Sequence, residues 1–223
     1  MRDTPLRVSR HNQGAFYISG ELKVKIYDIS QEVFGSKVYP GDPAPEKNIL
    51  LSIDDGKVCN LSSFSMCAHN GTHIDAPYHF IRDGKTVDQI SLNAFVGDAF
   101  VAEHCGAVTA EDAKKIIEKA KKHGEASKRI LIKGKAEVSE DGAKVFAQSG
   151  ILLLGNESQT VGPESAPMAV HLTLLSANVV LLEGICLSEP TEGAYFLSAA
   201  PLNLSGGDGS PCRAYLIAKK DFL

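Results

Sequence analysis

A segment of eleven residues carries side chains that could hold a metal ion and move protons. Three of the chain's seven histidines and one aspartate lie there: His69, His73, Asp75 and His79. All four occupy odd positions, so an extended chain points them to one side, and the intervening Gly71 and Pro77 disfavour a helix. A straight strand would hold His69 and His73 about 13 Å apart, too far for bonds of about 2 Å to one ion. We therefore expect the chain to bend at Gly71.

The ligand types in this segment indicate which ion it would bind. Imidazole and carboxylate together suit zinc, manganese or iron. The bend would gather His69, His73 and Asp75 around such a divalent metal. Cys67 shares the odd register and could be a ligand or a nucleophile, although a free cysteine more often packs as a small apolar residue.

Two further candidates lie in the C-terminal half. Glu183 ends an apolar run that is typical of a buried strand, where an unpaired carboxylate would cost several kcal/mol. A metal or an arginine would offset that cost, but a strand-end glutamate that reaches solvent fits equally well. His171 lies on a predicted helix one connection earlier, and packing of that helix on the strand could bring the two residues together. A single histidine of this kind is more often a core or surface residue.

Composition limits the classes of function. A chain of 223 residues fits one large domain with a substantial core. The net charge of −4 and the pI near 6.0, without a basic run, do not support nucleic-acid binding. No apolar run approaches the roughly 20 residues that span a bilayer, and no apolar signal core follows the N-terminus. Five scattered cysteines indicate reduced thiols in a cytoplasm.

The order of elements predicts an α/β fold, a compact single domain with a mixed β-sheet flanked by helices. Strands are expected at 22–29, 97–103, 129–133, 151–155, 179–184 and 214–218, with a hairpin formed by 49–53 and 58–66. Helices are expected at 109–123, 139–148 and 165–176, with Thr109 and Ser165 as N-caps of the first and last. Residues 1–21 could be a loose arm or an added hairpin, and residues 22–223 a single domain.

The histidine segment also resembles a known signature. His69-x-Gly71-Thr72-His73-x-Asp75-x-Pro77-x-His79 is similar, without gaps, to the HxGTHxDxPxH motif of the metal-dependent cyclase family. That family includes bacterial kynurenine formamidases and isatin hydrolases. The resemblance extends to further blocks along the chain: Tyr39–Asp42, Asp83–Thr86, His171-x11-Glu183-Gly184, Gly193-x-Tyr195, Pro201-Leu202 and Asp208–Ala214.

The resemblance implies a role for each matching residue. His69, His73 and Asp75 would hold a first divalent ion, zinc or manganese. Asp75 would bridge to a second ion, held also by His171 and Glu183, although some relatives work with one metal. His79 would be the catalytic acid/base. The family implies a cyclase-like swivelling β/α fold and a homodimer or higher homo-oligomer, with the active site near a subunit interface.

The implied reaction is hydrolysis of a small amide-type C–N bond of an N-formyl, lactam or imide substrate. Aromatic residues could line the substrate pocket, or could equally be core: Phe34, Tyr39, Tyr78 and Phe80. The polar connection 155–164 could be a substrate loop or a plain surface loop. The alternatives are a non-catalytic metal or small-ligand binding protein on the same fold and, with less support, a cysteine hydrolase that uses Cys67 or Cys212.

Overall fold

One mixed β-sheet places residues from both halves of the chain side by side. The structure, a computed structural model, describes residues 15–17 and 23–218. Within these residues the strands are β1 (Ala15–Tyr17), β2 (Lys23–Asp28), β3 (Glu46–Leu51), β4 (Leu61–Ser65), β5 (His73–Asp75), β6 (Val96–Glu103), β7 (Gly106–Val108), β8 (Arg129–Lys133), β9 (Ala136–Val138), β10 (Leu153–Asn156), β11 (Val180–Glu183), β12 (Gly193–Ser198), β13 (Gly209–Pro211) and β14 (Tyr215–Ala218). The α-helices of the same residues are α1 (Ala110–Lys121), α2 (Glu140–Gln148) and α3 (Met168–Ser176).

Ten of these strands form the main sheet, in the order β1-β2-β14-β12-β6-β8-β10-β11-β5-β13. The central strands β6, β8, β10 and β11 run parallel, and antiparallel strands flank them on both sides. Strands β8, β10 and β11 are buried almost throughout, as parallel strands are when both of their faces are covered. The predicted α/β class with a mixed sheet is confirmed.

Side chains of the central strands alternate between two hydrophobic clusters. In β8, Ile130 and Ile132 pack in the cluster that includes Phe146 of α2, whereas Leu131 belongs to the other cluster. Ile74 of β5 is fully buried in that second cluster. Because side chains alternate along a strand, the residues on either side of Ile74 are turned toward the face that carries the helices. The core thus sets the direction of the histidine segment.

Most predicted elements are present within a few residues of their predicted bounds. The strand predicted at 129–133 is β8, and the helix predicted at 109–123 is α1, where the Thr109 side chain accepts a hydrogen bond from the backbone N–H of Asp112. The predicted start of α3 is wrong, because Pro167, not Ser165, is the N-cap residue of this helix. The ring of Pro167 disfavours the helical conformation in the residue before it, so the helix cannot continue back toward Ser165.

The predicted hairpin forms a separate two-stranded unit. Strands β3 and β4 pair only with each other among the described strands, and most of their residues are exposed. Large apolar side chains lie on this surface, which we call the hairpin surface: Ile49, Leu50, Ile53, Val58, Leu61 and Phe64. An exposed apolar patch of this kind is typical of an interaction site.

The N-terminal prediction is only partly covered by the structure. Within residues 1–21, strand β1 pairs antiparallel with β2, and the remainder of the predicted arm lies outside the described residues. Among the helices of residues 15–17 and 23–218, none has the length and apolar character needed to cross a membrane.

Candidate active site

The chain bends before β5, as the spacing of its histidines requires. Gly71 has a φ of +65°, in the left-handed region that favours glycine. The Thr72 hydroxyl donates a hydrogen bond of 2.6 Å to the carbonyl of Gly184 and accepts one from the backbone N–H of Gln31. These contacts fix the bend against the end of β11. The sequence therefore turns sharply and then continues as a short strand.

Strand pairing brings the two halves of the predicted site together. Strand β5 lies between β11 and β13 and is antiparallel to both. His73 is the direct partner of Glu183, and Asp75 is the partner of Leu181. The register of one strand pair therefore places a carboxylate from the C-terminal half beside the histidine motif.

Asp75 is the centre of the resulting cluster. Its Oδ1 lies 2.8 Å from Nδ1 of His69 and 3.3 Å from Nε2 of His73, and its Oδ2 lies 3.5 Å from Nε2 of His171. Glu183 completes the cluster, with Oε1 3.2 Å from His171 Nε2 and Oε2 3.5 Å from His73 Nε2. The cluster thus contains two groups of possible ligands that share Asp75, and the ligand atoms within each group lie within 4.8 Å of one another.

Hydrogen bonds fix which ring nitrogens face the carboxylates. Nδ1 of His73 lies 3.0 Å from the carbonyl of Gly71, and Nδ1 of His171 lies 2.8 Å from that of Pro167. A carbonyl can only accept, so each Nδ1 carries a proton and each Nε2 is directed to the carboxylates. Such an Nε2 must carry a second proton or bind a cation, because its lone pair would otherwise face negative oxygens. The donor set fits a divalent metal.

The buried histidines of this cluster and Asp75 shift one another's pKa values. Burial lowers the pKa of His73, but the hydrogen bonds with Asp75 and Glu183 outweigh it and raise the pKa to about 10. Burial likewise lowers the pKa of His171, but its hydrogen bonds with Asp75 and Glu183 outweigh burial and raise the pKa to about 10. Burial raises the pKa of Asp75, whereas its hydrogen bonds with the histidines bring it well below its usual value. The protein groups alone therefore retain protons that a bound cation would displace.

His79 lies beside the cluster and not inside it. It ends a single helical turn, Pro77–His79, and its ring stacks on that of His69 with 4.0 Å between the ring centroids. Its Nδ1 lies 3.5 Å from Oδ2 of Asp208. Burial lowers the pKa of His79, so its imidazole is largely neutral at pH 7 and can accept a proton.

A cavity of about 250 Å³ opens onto the cluster and His79. Of the four aromatic residues predicted for the substrate pocket, Tyr39 and Phe80 line this cavity. Phe34 and Tyr78 do not line it, and both are 44% exposed. The cavity therefore has one aromatic side chain from the segment before the hairpin and one from the turn after the histidine motif.

Several lining residues were given no role of their own from the sequence, and Cys67 was named only as an alternative ligand or nucleophile. Gln159 and Thr160, in the polar connection 155–164, line the cavity, and the buried hydroxyl of Thr160 has no hydrogen-bond partner among the described residues. Asp42 and Cys67 lie on its wall, with Sγ of Cys67 3.7 Å from the carboxylate. Their place in the Tyr39–Asp42 block and beside the motif was the available signal. Asp208, in another such block, does not line the cavity but contacts two of its histidines, His69 and His79.

The two candidate cysteine nucleophiles are poorly suited to that role. Burial raises the pKa of the Cys67 thiol, and it raises that of Cys212 to about 12. Nucleophilic cysteines require a thiolate, which is favoured by a lowered pKa. The raised thiol pKa values therefore favour the histidine and carboxylate cluster, and not a cysteine, as the reactive part of the site.

The fold has a mixed β-sheet, and it brings buried His, Asp and Glu side chains together at one cavity. This arrangement is typical of a metal-binding protein. The chain belongs to the Cyclase family, whose model, described as "Putative cyclase", matches residues 27–163. It is 32% identical over 206 residues to a kynurenine formamidase of Bacillus anthracis, covering 86% of this chain and 97% of that protein. It is 31% identical over 205 residues to a kynurenine formamidase of Salinibacter ruber, covering 86% and 96%.

Solved structures show the same fold. A protein described as a "predicted metal-dependent hydrolase" from Bacillus stearothermophilus superposes with a TM-score of 0.71 at 28% identity, covering 87% of this chain and 98% of that chain. Isatin hydrolase A from Labrenzia aggregata superposes with a TM-score of 0.74 at 22% identity, covering 87% and 94%. At that lower identity the similarity demonstrates a shared fold.

Proposed function

We propose that this chain is a metal-dependent hydrolase that cleaves a small amide-type C–N bond of an N-formyl, lactam or imide substrate. The observation that carries the proposal is the position of Asp75, whose carboxylate is shared by two groups of possible metal ligands in the wall of a cavity that His79 also lines. The relatives that are kynurenine formamidases, together with the shared fold of isatin hydrolase, support the same chemistry.

The ligands of the proposed metal centre follow from the cluster. His69, His73 and Asp75 would hold one divalent ion, and Asp75 would share a second with His171 and Glu183. Zinc is the first choice for this donor set and manganese the second. A bound ion of this kind supplies Lewis acidity and lowers the pKa of water, so that hydroxide is available at neutral pH.

His79 is the proposed acid/base. Because its Nδ1 faces Asp208, its Nε2 is the ring nitrogen left to exchange a proton with the reacting groups. Its lowered pKa keeps that nitrogen unprotonated at pH 7, so it can take a proton from the attacking water. The same nitrogen then returns the proton to the leaving nitrogen of the substrate. This cycle gives His79 a function that a pure binding site would not need.

The cavity supports a small, partly aromatic substrate. Its volume of about 250 Å³ lies just below the roughly 300–1,000 Å³ typical of ligand pockets. Tyr39 and Phe80 offer apolar surface on which a planar group could pack. Phe34 and Tyr78 remain predicted substrate contacts. To reach a substrate in the cavity, the exposed segments that carry them would have to close over it.

We also propose that the chain is a homodimer or a higher homo-oligomer, formed through the hairpin surface, and that it acts in the cytoplasm. Val58 is 97% exposed, Ile49 73% and Phe64 61%, on a two-stranded hairpin that would be marginally stable alone. A second copy of the chain would bury this surface. All five cysteines are free, which agrees with a reducing compartment.

A substrate screen tests the proposed reaction. The zinc-loaded and manganese-loaded proteins would be assayed on N-formyl arylamines, isatin-like lactams and cyclic imides, with chelator-treated protein as the control. We expect turnover of at least one class that the chelator abolishes and added metal restores. Absence of turnover across the panel by a fully metal-loaded protein would contradict the proposal.

A further inference from the structure

One carboxylate oxygen outside the buried cluster contacts two of the histidines that line the cavity. Oδ2 of Asp208 lies 2.9 Å from Nε2 of His69 and 3.5 Å from Nδ1 of His79. The imidazole rings of these two histidines stack on each other. Asp208 therefore connects a proposed metal ligand to the proposed acid/base.

The backbone holds Asp208 in place although its side chain is 46% exposed. The carbonyl of Asp208 accepts a hydrogen bond of 2.9 Å from the N–H of Ala76, directly after β5. The next residue, Gly209, allows the His69 ring to approach, because a Cβ there would lie 2.5 Å from its Cε1. The backbone of Asp208 is thus held directly beside the end of β5, within the histidine motif.

His69 differs from the other two histidines of the cluster in the partner of its outer nitrogen, the ring nitrogen that points away from Asp75. The outer nitrogens of His73 and His171 face backbone carbonyls, whereas that of His69 faces the Asp208 carboxylate. A carboxylate that accepts the outer N–H of a ligand histidine fixes its tautomer. It also makes the inner nitrogen more basic and so a better metal ligand. For His69 that inner nitrogen is Nδ1, which lies 2.8 Å from Asp75.

We propose that Asp208 is a positioning residue, which directs Nδ1 of His69 to the metal centre by accepting its Nε2–H and holds His79 beside it through the same oxygen. The assignment rests on the metal-dependent activity proposed above. It ties metal affinity and proton transfer to one side chain.

A different role for the same group is that Asp208 itself binds an ion with His69 and His79, whose ligand atoms also lie within 4.8 Å of one another. In that arrangement His69 would use Nε2 and would be lost to the cluster around Asp75. The amide of asparagine can replace a carboxylate as a hydrogen-bond acceptor but is a poor substitute for an anionic ligand. Asp208→Asn and Asp208→Ala therefore separate the two roles.

The test is zinc affinity, measured by competition with a chromophoric chelator, in the wild type, Asp208→Ala, Asp208→Asn and the control Glu118→Ala on the exposed face of α1. We expect Asp208→Ala to weaken zinc binding by about 10–100-fold, as loss of an outer partner does. Asp208→Asn should recover most of that affinity, and Glu118→Ala should match the wild type. On the substrate found by the screen, kcat should fall in Asp208→Ala while KM changes little.

Zinc affinity decides the assignment even if no substrate is found, so its failure is distinct from failure of the proposed activity. Wild-type affinity in Asp208→Ala would overturn it. Equal losses in Asp208→Asn and Asp208→Ala would also overturn it, because that pattern indicates a charged ligand. Thermal unfolding of the metal-free variants shows whether each is folded. If Asp208→Ala is not, Asp208→Leu, which is similar in size but cannot accept the Nε2–H of His69, takes its place in the comparison.

Discussion

His73 and Glu183 are direct partners across β5 and β11, and their Nε2 and Oε2 atoms lie 3.5 Å apart. The proposed metal centre is therefore assembled by the register of an antiparallel strand pair. A slip of one residue would turn Glu183 to the opposite face of the sheet and remove it from the cluster. The hydrophobic side chains that fix this register, Ile74 among them, consequently determine the geometry of the site.

Replacing Glu183 tests its part in the metal centre. Glutamine keeps an oxygen that can accept the backbone N–H of Val161, now bonded to Glu183 at 2.8 Å, so the fold should be retained. It loses the charge, so the affinity for the ion shared with Asp75 and His171 should fall by at least about 100-fold, the upper end of what loss of an outer partner costs. Isothermal titration of the metal-free protein would measure it.

The matched control for this substitution is Glu118→Gln, at an exposed position of α1. It should leave both the affinity and the number of ions bound unchanged. If Glu183→Gln binds the metal with the affinity and the number of ions of the wild type, Glu183 is not one of the metal ligands.

His79→Gln should separate chemistry from metal binding. The proposed acid/base lies outside the buried ligand groups, so the variant should keep its metal while kcat falls by about 10²–10⁴-fold, the usual contribution of general acid–base catalysis. Elemental analysis and steady-state kinetics on one preparation would measure both. His104→Gln, away from the cluster, serves as the control. Metal loss from the His79 variant would instead make it a ligand.

The pH dependence of the metal-loaded enzyme should report the ionisation of His79. Burial lowers the pKa of this imidazole from its usual value near 6.5, and the neutral form is the one that accepts a proton. Activity should therefore rise with pH through an apparent pKa below about 6.5 and be complete at neutral pH. A pH profile of kcat/KM for wild type and His79→Gln would check this. An acid limb centred above 6.5, or one that persists in the variant, is the opposing outcome.

Disrupting the hairpin surface should separate the subunits. Ile49→Ser combined with Phe64→Ser replaces two exposed apolar side chains, one on each strand of the hairpin, with small polar ones. We expect the wild type to be a dimer or larger and this variant to shift toward monomer in light scattering coupled to size-exclusion chromatography. Leu92→Ser, 65% exposed but outside the hairpin, should not change the mass. A monomeric wild type would contradict this proposal.

The local features of the chain were predictable, and the long-range ones were less so. The aliphatic runs of β8 and the capped helix α1 carry their own signals, as does the bend at Gly71, because each depends on neighbouring residues. Glu183 stayed ambiguous because its environment is set by pairing with a distant strand. The resemblance to the family motif, and not spacing, connected it to the histidine segment.

The remaining gaps have the same origin. Strand β12 pairs with β6 and β14 across long sequence separations and has only a short alternating pattern of its own. Asp208 contacts His69 through the placement of β13 beside β5, which no local pattern encodes. The aromatic residues of the pocket depend on which side chains face the cavity, and composition alone cannot distinguish Tyr39 from Phe34.

The most direct measurement of the central claim is the number of divalent ions per chain in wild type and Asp75→Asn, by mass spectrometry of acid-digested protein after metal loading and gel filtration. Because Asp75 is shared by both ligand groups, we predict one or two ions per wild-type chain and close to none in the variant. An Asp75→Asn protein that is folded and retains the wild-type metal content would contradict the account, as would a wild type that binds none.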